Sequence, residues 1–206
     1  MEKNWNQNQI LLHGKLCHNP CYSHCSHGTE YYVFPFAVAR LSGATDQVKI
    51  IAAESLQYGL CCGDTLTIAG EVRSFNKQQN GARRLIITVH ANEIIREDGE
   101  DANQLKLAGT LCKPPIYRRT PLGRDICDMM LAVNRSYGRT DYLPCISWGA
   151  LAQRCGEYTV GTALTLEGRL QSRIYTKKFG ERSEERTAFE ISVAQIELLQ
   201  ESVKNG

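Results

Sequence analysis

NQILLHGKLC, residues 8–17, and NQLKLAGTLC, residues 103–112, are two versions of one stretch, and this duplication decides the fold. Outward from it, 8–53 matches 103–148 without a gap, with 16 identities in 46 positions. Similarity at one fixed spacing is the mark of an internal repeat. The sequence therefore predicts two copies of one domain, 1–98 and 103–200, joined by the charged linker 96–101.

Each copy predicts five short strands and one short helix. Apolar and polar residues alternate in segments such as 105–111, 164–171 and 189–194, a period of two that is typical of strands. A helix-permissive stretch, 150–155, lies between the third and fourth strands, and its counterpart in the first copy is 54–59. This order suits an all-β fold of two small closed barrels. Glycines inside the strands mark places where a barrel strand can coil sharply.

Composition excludes several classes of protein. Hydrophobic residues make up 42% and charged residues 22% of 206 positions, which indicates a packed core. There is no apolar run long enough for a transmembrane helix and no secretory signal at the start, so we expect a cytoplasmic protein. A net charge of +2 excludes a histone-like polycation. We expect the nine cysteines to be reduced thiols, because their number is odd and no export signal precedes them.

The second copy resembles the bacterial single-stranded DNA-binding protein family. The resemblance rests on NQLKLAGTL at 103–111, LAVNR at 131–135, ISWGALA at 146–152 and LEGRLQSRIY at 166–175. It implies that each copy is an OB-fold, a five-stranded barrel with a helix between the third and fourth strands. It also implies a nucleoid-associated protein that binds single-stranded DNA with little sequence preference, in replication, recombination or repair.

The resemblance places base-stacking aromatic residues at four positions: Tyr137, Tyr142, Trp148 and Tyr175. Strand parity supports two of them, because Tyr142 and Trp148 alternate with Leu143, which would point into the barrel. Stacking tolerates any base, since every base has a π face. The alternative is that these two side chains pack under a loop or a partner subunit. We expect nearby cations to contact phosphates, namely Arg118, Arg135, Arg169, Arg173 and Lys177.

The first copy departs from this pattern. Its residues at the positions of Tyr137, Tyr142 and Trp148 are Ser42, Gln47 and Ala53. Its charge is balanced, with nine basic and nine acidic residues in 1–98, against fifteen and thirteen in 99–206. The sequence therefore predicts that the stacking platform is largely absent from the first copy. Further contacts with a strand could come from Phe75, Lys77, Arg83 and Arg84.

The resemblance also bears on assembly and partners. The family usually assembles four OB-folds, so two per chain imply a homodimer. The family usually ends in an acidic tail with an apolar tip that recruits other proteins, and residues 198–206 do not have this character. A protein-interaction module of replication restart or of plasmid and mobile-element maintenance, with weak DNA binding, is the alternative function.

A cluster of potential metal ligands, Cys21, His24, Cys25 and His27, stands apart from these motifs. Thiolate and imidazole groups suit zinc, and a metal-responsive scaffold is a third hypothesis. Structural zinc sites usually join two separate pairs of ligands, so we favour a polar surface loop without a metal or other cofactor. No phosphate-binding glycine loop or catalytic constellation is present, and we expect no enzyme activity.

Overall fold

Six strands and one short helix make up the first repeat in a computed structural model that describes residues 7–79, 82–179 and 182–199. In chain order its elements are β1 (Asn8–Leu16), β2 (Cys21–Ser26), β3 (Thr29–Ala39), β4 (Thr45–Ala53), α1 (Glu54–Gln57), β5 (Thr65–Gln79) and β6 (Ala82–Arg96).

The second repeat has the same order of elements. They are β7 (Ala102–Leu111), β8 (Ile116–Arg119), β9 (Asp125–Asn134), β10 (Thr140–Trp148), α2 (Gly149–Gly156), β11 (Ala163–Phe179) and β12 (Arg182–Leu198).

Five strands of each repeat close into a barrel. In the first repeat β1 pairs with both β3 and β5, β3 with β4, β4 with β6 in parallel, and β6 with β5. The second repeat repeats this ring with β7, β9, β10, β12 and β11. The predicted all-β fold, with a helix between the third and fourth barrel strands, is confirmed. The sequence missed β2 and β8, which pair with β3 and β9 on the outside of each ring.

Closure of each ring depends on a glycine in its first strand. A side chain at Gly14 would overlap the carbonyl oxygen of Ala37 on β3. At Gly109 an added Cβ would lie 2.6 Å from the carbonyl oxygen of Ala132 on β9. Any larger residue would hold the two backbones apart, so these positions allow the first strand to coil across two neighbours.

The core of each barrel consists of the inward-facing residues of its strands. Leu12, Phe36 and Ile50 are fully buried in the first repeat, as are Leu107 and Leu143 in the second. Each such side chain stabilises the fold by about 1.5–3 kcal/mol relative to exposure. The alternating pattern therefore fixes which residues of each strand face outward.

The described residues form two compact units whose boundaries differ from those of the repeats. One unit takes in 7–8, 106–169 and 190–199, and the other takes in 9–105 and 170–189. The outer part of the β11–β12 hairpin, Leu170–Phe189, thus belongs to the same unit as the first barrel; we call it the arm. Among the described residues, no helix is long and apolar enough to cross a membrane.

Candidate nucleic-acid interface

Two aromatic side chains lie on the outer face of β10. The exposed fraction is 49% for Tyr142 and 41% for Trp148, whereas Leu143 and Cys145 between them are buried. β10 pairs with β9 along its length, which holds the outward positions in a row. The exposure and parity agree with the stacking hypothesis, because the rings are accessible in the free protein.

Tyr137 lies at the tip of the turn that joins β9 to β10, and 95% of its surface is exposed. The Arg135 N–H donates to the Arg139 carbonyl oxygen at 2.7 Å across this turn. Gly138 has a φ of 75°, which the turn requires and which glycine adopts without strain. The turn therefore presents Tyr137 to solvent just before β10 begins.

Arg135 forms a bidentate ion pair at the base of the same turn. Its Nε and a terminal nitrogen donate to the two carboxylate oxygens of Asp141 at 2.7 and 2.5 Å. The Asp141 side chain is fully buried. Arg40 and Asp46 form the same bidentate pair in the first repeat, where the positions of the three aromatic residues hold non-aromatic ones. The pair thus recurs where the aromatic residues are missing, and in both repeats it joins the two ends of the turn.

Two of the other predicted phosphate contacts are exposed arginines of the unit that contains β10. Arg118 on β8 pairs with Asp128 on β9 at 2.9 Å. A surface ion pair of this kind contributes about 0–1 kcal/mol and is easily exchanged. Arg169 is exposed on β11. Both side chains are therefore placed where an anion from solution can reach them.

Tyr175 and Arg173 lie on the arm, in the unit that contains the first barrel. The Arg173 guanidinium lies 5.9 Å from the centre of the Tyr175 ring, within range of a cation–π interaction. The pKa of Arg186 is raised above its ordinary value, first by its hydrogen bond with Glu184 and to a lesser degree by Tyr175. The side chain of Lys177 lies outside the described residues.

An open cleft of about 930 Å³ lies within that same unit. Its walls include Lys49 on the outer face of β4, Phe75 and Lys77 on β5, and Phe189 on the arm. A terminal nitrogen of Arg84 donates to the Thr187 carbonyl oxygen at 2.6 Å, which fixes the arm beside β6. Cationic and aromatic side chains thus line a groove in this unit. They include Phe75, Lys77 and Arg84, three of the residues for which the sequence indicated further contacts with a strand.

The sequence analysis missed Tyr31, an aromatic residue on the face of the first repeat that carries the cleft. On β3 it pairs directly with Ala53, whereas in the second repeat Ile126 pairs with Trp148. The first repeat therefore carries its aromatic ring on β3 instead of β4. The imidazole of His24 stacks on the Tyr31 ring, with centroids 5.1 Å apart. Only the strand register reveals this exchange, because the two residues of each pair are 22 positions apart in sequence.

Asp46 anchors the arm to the first barrel. Its Oδ1 accepts hydrogen bonds from the Ser172 backbone N–H at 2.6 Å and from the Ser172 hydroxyl at 2.7 Å. Burial by itself would raise the pKa of Asp46, but the hydrogen bonds from Arg40 and Ser172 outweigh it and lower that pKa below its ordinary value. The carboxylate is thus held in its charged form between the turn and the arm.

Three of the four candidate zinc ligands lie along an exposed strand. Cys21, His24 and Cys25 belong to β2, and His27 follows in the turn to β3 with a φ of 49°. In the ranges 7–79, 82–179 and 182–199, no three Cys, His, Asp or Glu side chains converge on a common point as metal ligands would. An extended strand separates these groups instead of gathering them.

Comparison with known proteins agrees with this geometry. Residues 102–199 match the Single-strand binding protein family. Single-stranded DNA-binding protein 1 of Staphylococcus aureus is 34% identical over 87 residues, which are 39% of this chain and 52% of that protein. The single-stranded DNA-binding protein of Thermus aquaticus is 29% identical over 159 residues, 66% of this chain and 60% of that protein.

The crystal structure of the wild-type Thermus aquaticus protein shows the same fold. It superposes with a TM-score of 0.79 and 22% identity, covering 97% of this chain and 96% of that one. The chain spans about half the length of the first of these relatives. The predicted resemblance to the family is confirmed.

Proposed function

We propose that this chain, whose residues 102–199 match the Single-strand binding protein family, binds single-stranded DNA without catalysis and with little sequence preference. It acts on strands exposed in replication, recombination or repair, and its place is with the nucleoid in the cytoplasm. One observation carries the proposal. Tyr142 and Trp148 lie exposed on one outer face of a closed barrel, where leaving two large rings in water has no benefit for the fold.

Base stacking is the main contact that we assign to this face. Tyr137 extends the row from the turn, and each stacked base contributes about 1–3 kcal/mol to binding. A duplex cannot use these rings, because its bases are already stacked within the helix. Preference for single strands over duplex follows from the rings and not from charge.

Contacts with the DNA phosphates are the second contribution to binding that we assign. Arg118 and Arg169 serve the face of β10, and Arg173 and Lys177 serve the arm, with Tyr175 as a further stacking ring. Each neutralised phosphate releases counterions, so affinity falls as salt rises. Arg135 has a positioning role in this proposal, because its guanidinium holds the buried Asp141 and the turn that carries Tyr137.

The repeats 1–98 and 103–200 are the two OB-folds of each chain, and we propose a homodimer that supplies four. Two platforms joined in one assembly bind a long strand with avidity that neither has alone. Light scattering of the full chain checks this assembly and should give about twice the chain mass. The residues from 200 onward, on which the expected lack of an acidic tail rests, lie outside the described residues.

The direct test is fluorescence anisotropy with labelled oligo-dT and a labelled duplex of equal length, at rising salt. We expect tighter binding of oligo-dT throughout, with a loss at high salt that stays incomplete because stacking is not a charge effect. The Trp148→Ala variant should narrow the difference between the two ligands by about 1–3 kcal/mol, the contribution of one stacked base. Equal affinity for both ligands, vanishing together at moderate salt, would contradict the proposal.

A further inference from the structure

Two cysteines of the first repeat lie side by side where β1 ends. Cys17 directly follows β1, and Cys62 lies in the turn that leads into β5. The Gly63 N–H donates to the Leu16 carbonyl oxygen at 2.8 Å, and the Leu16 N–H donates to the Asp64 carbonyl oxygen at 2.9 Å. These two hydrogen bonds hold the backbones of the two segments against each other, within two residues of both cysteines.

The Cys62 thiol lies against the backbone of Cys17. The Cys62 thiol donates to the carbonyl oxygen of Cys17, with the Sγ 2.9 Å from that oxygen. A residue's Cα lies about 2.4 Å from its own carbonyl oxygen, so the Cα of Cys17 is within roughly 5 Å of the Cys62 Sγ. The Cys17 thiol points to the Lys15 carbonyl oxygen, 3.8 Å away, so a link to Cys62 requires the Cys17 side chain to rotate about χ1. The Cys62 N–H donates to the Asn19 Oδ1 at 2.7 Å, which orients the turn.

We propose that Cys17 and Cys62 form a redox-active pair that closes to an intramolecular disulfide in the presence of a small-molecule disulfide such as oxidised glutathione. The exposed Cys62, as thiolate, attacks one sulfur of glutathione disulfide, which releases one glutathione thiolate and leaves a mixed disulfide on Cys62. Cys17 then loses its proton to solvent and attacks the Cys62 Sγ, which breaks the mixed disulfide and releases the second glutathione. Two protein thiols are oxidised and one small disulfide is reduced to two thiols.

The second repeat provides an internal comparison. Cys112 occupies the place of Cys17, and its N–H donates to the Met130 carbonyl oxygen at 3.0 Å, as the Cys17 N–H does to that of Pro35. The Gly161 N–H donates to the Leu111 carbonyl oxygen at 2.9 Å, so Val160 occupies the place of Cys62. One member of the pair is thus present and the other is replaced by an apolar residue. The pair belongs to the first repeat alone.

Three of the remaining cysteines are poor competitors for Cys62. Cys127, Cys145 and Cys155 are buried, and burial raises the pKa of the Cys127 thiol to about 11. The Cys61 thiol points to the carbonyl oxygen of Gly59, 3.9 Å away. The Cys21 thiol points to that of Asn19, 3.6 Å away.

The test is oxidation of the full-length native protein with oxidised glutathione, followed by alkylation, digestion and mass spectrometry without reduction. We expect a cross-linked peptide pair joining Cys17 to Cys62, which reduction removes. Cys17→Ser and Cys62→Ser should each abolish it, and the neighbouring variant Cys61→Ser should leave it unchanged. Thermal unfolding should show a Tm several degrees higher in the oxidised protein, because the link constrains the unfolded chain.

A gain of function keeps the test independent of damage caused by the other variants. Val160→Cys should create a second link, between Cys112 and the introduced thiol. Glutathione that stays on Cys62 without a link, or a link from Cys62 to Cys61 or Cys21, would overturn the proposal. So would a second link that fails to form in a folded Val160→Cys protein. DNA affinity plays no part in these readouts, so their failure is distinct from failure of the proposed function.

Discussion

The outer faces of β4 and β10 show how the two repeats diverged on one scaffold. Each of these strands begins after a turn that is held by an arginine–aspartate ion pair with a buried aspartate. In each repeat the first strand of the barrel coils at a glycine. The outward positions differ, with Gln47 in the first repeat where Tyr142 stands in the second. The two repeats thus share the residues that hold the barrel closed and differ in the residues that are exposed to solvent.

The comparison also shows that an aromatic residue has changed strands. Ala53 replaces the tryptophan on β4, and Tyr31 on β3 faces it across the strand pair. The cleft of the first repeat adds Phe75, of which 46% is exposed. The first repeat therefore has more exposed aromatic residues than an alignment of the two repeats indicates. We expect it to make a smaller contribution to binding, through different residues.

The largest expected effect concerns the shared scaffold. Arg135→Ala and Arg40→Ala should each lower the free energy of unfolding by about 3–5 kcal/mol, because each leaves a buried carboxylate without its ion-pair partner. Urea denaturation measures the loss. The control is Arg118→Ala, which breaks an exposed pair and should cost less than about 1 kcal/mol. Losses below 1 kcal/mol in both repeats would show that the pairs do not support the fold.

Smaller effects should separate the outward faces. Trp148→Ala and Tyr142→Ala should each weaken oligo-dT binding by about 1–3 kcal/mol, because one stacked base loses its platform. Gln47→Ala, at the matched position of the first repeat, should change affinity little. Fluorescence anisotropy measures all three variants at one salt concentration. Equal losses from Gln47→Ala and Tyr142→Ala would remove the distinction between the repeats.

Tyr31 offers a sharper test of the exchanged aromatic residue. Tyr31→Ala should weaken oligo-dT binding by about 1 kcal/mol, at the lower end of the range for one stacking ring. Tyr22 is the matched control, because it is an exposed tyrosine that pairs with Tyr32 and so faces the other side of the same hairpin. If Tyr22→Ala weakens binding and Tyr31→Ala does not, the DNA contact lies on the opposite face of the hairpin and the prediction is wrong.

The smallest effect is a dependence of stability on pH. Since the folded-state pKa of Asp46 lies below its ordinary value of 3.8, its carboxylate contributes stability that is full above about pH 4 and is lost as pH falls through the folded pKa. The difference in unfolding free energy between the natural protein and Asp46→Asn should therefore shrink from pH 6 to pH 3. Urea denaturation across that range measures it, and a difference that is constant with pH would show that Asp46 is not held in its charged form.

The sequence predicted those parts of the molecule that depend on local patterns. Alternation identified the barrel strands, and parity placed Tyr142 and Trp148 outward, because side chains alternate along any strand. It missed β2, whose polar residues form a strand only by pairing with β3. It missed Tyr31, because register between strands is a tertiary property. It did not reveal that Arg135 pairs with the buried Asp141, because that pairing is visible only in the fold; the contact of Arg135 with DNA stays a prediction.

Stacking on Trp148 is the central claim, and its fluorescence reports on it most directly. Trp148 is the sole tryptophan in the Trp5→Phe variant, because the chain has two. Titrated with oligo-dT at a salt concentration that suppresses duplex binding, that variant should show strong, saturable quenching as bases stack on the indole. An equal length of duplex should produce little. Tight oligo-dT binding that leaves the emission of Trp148 unchanged would contradict the account.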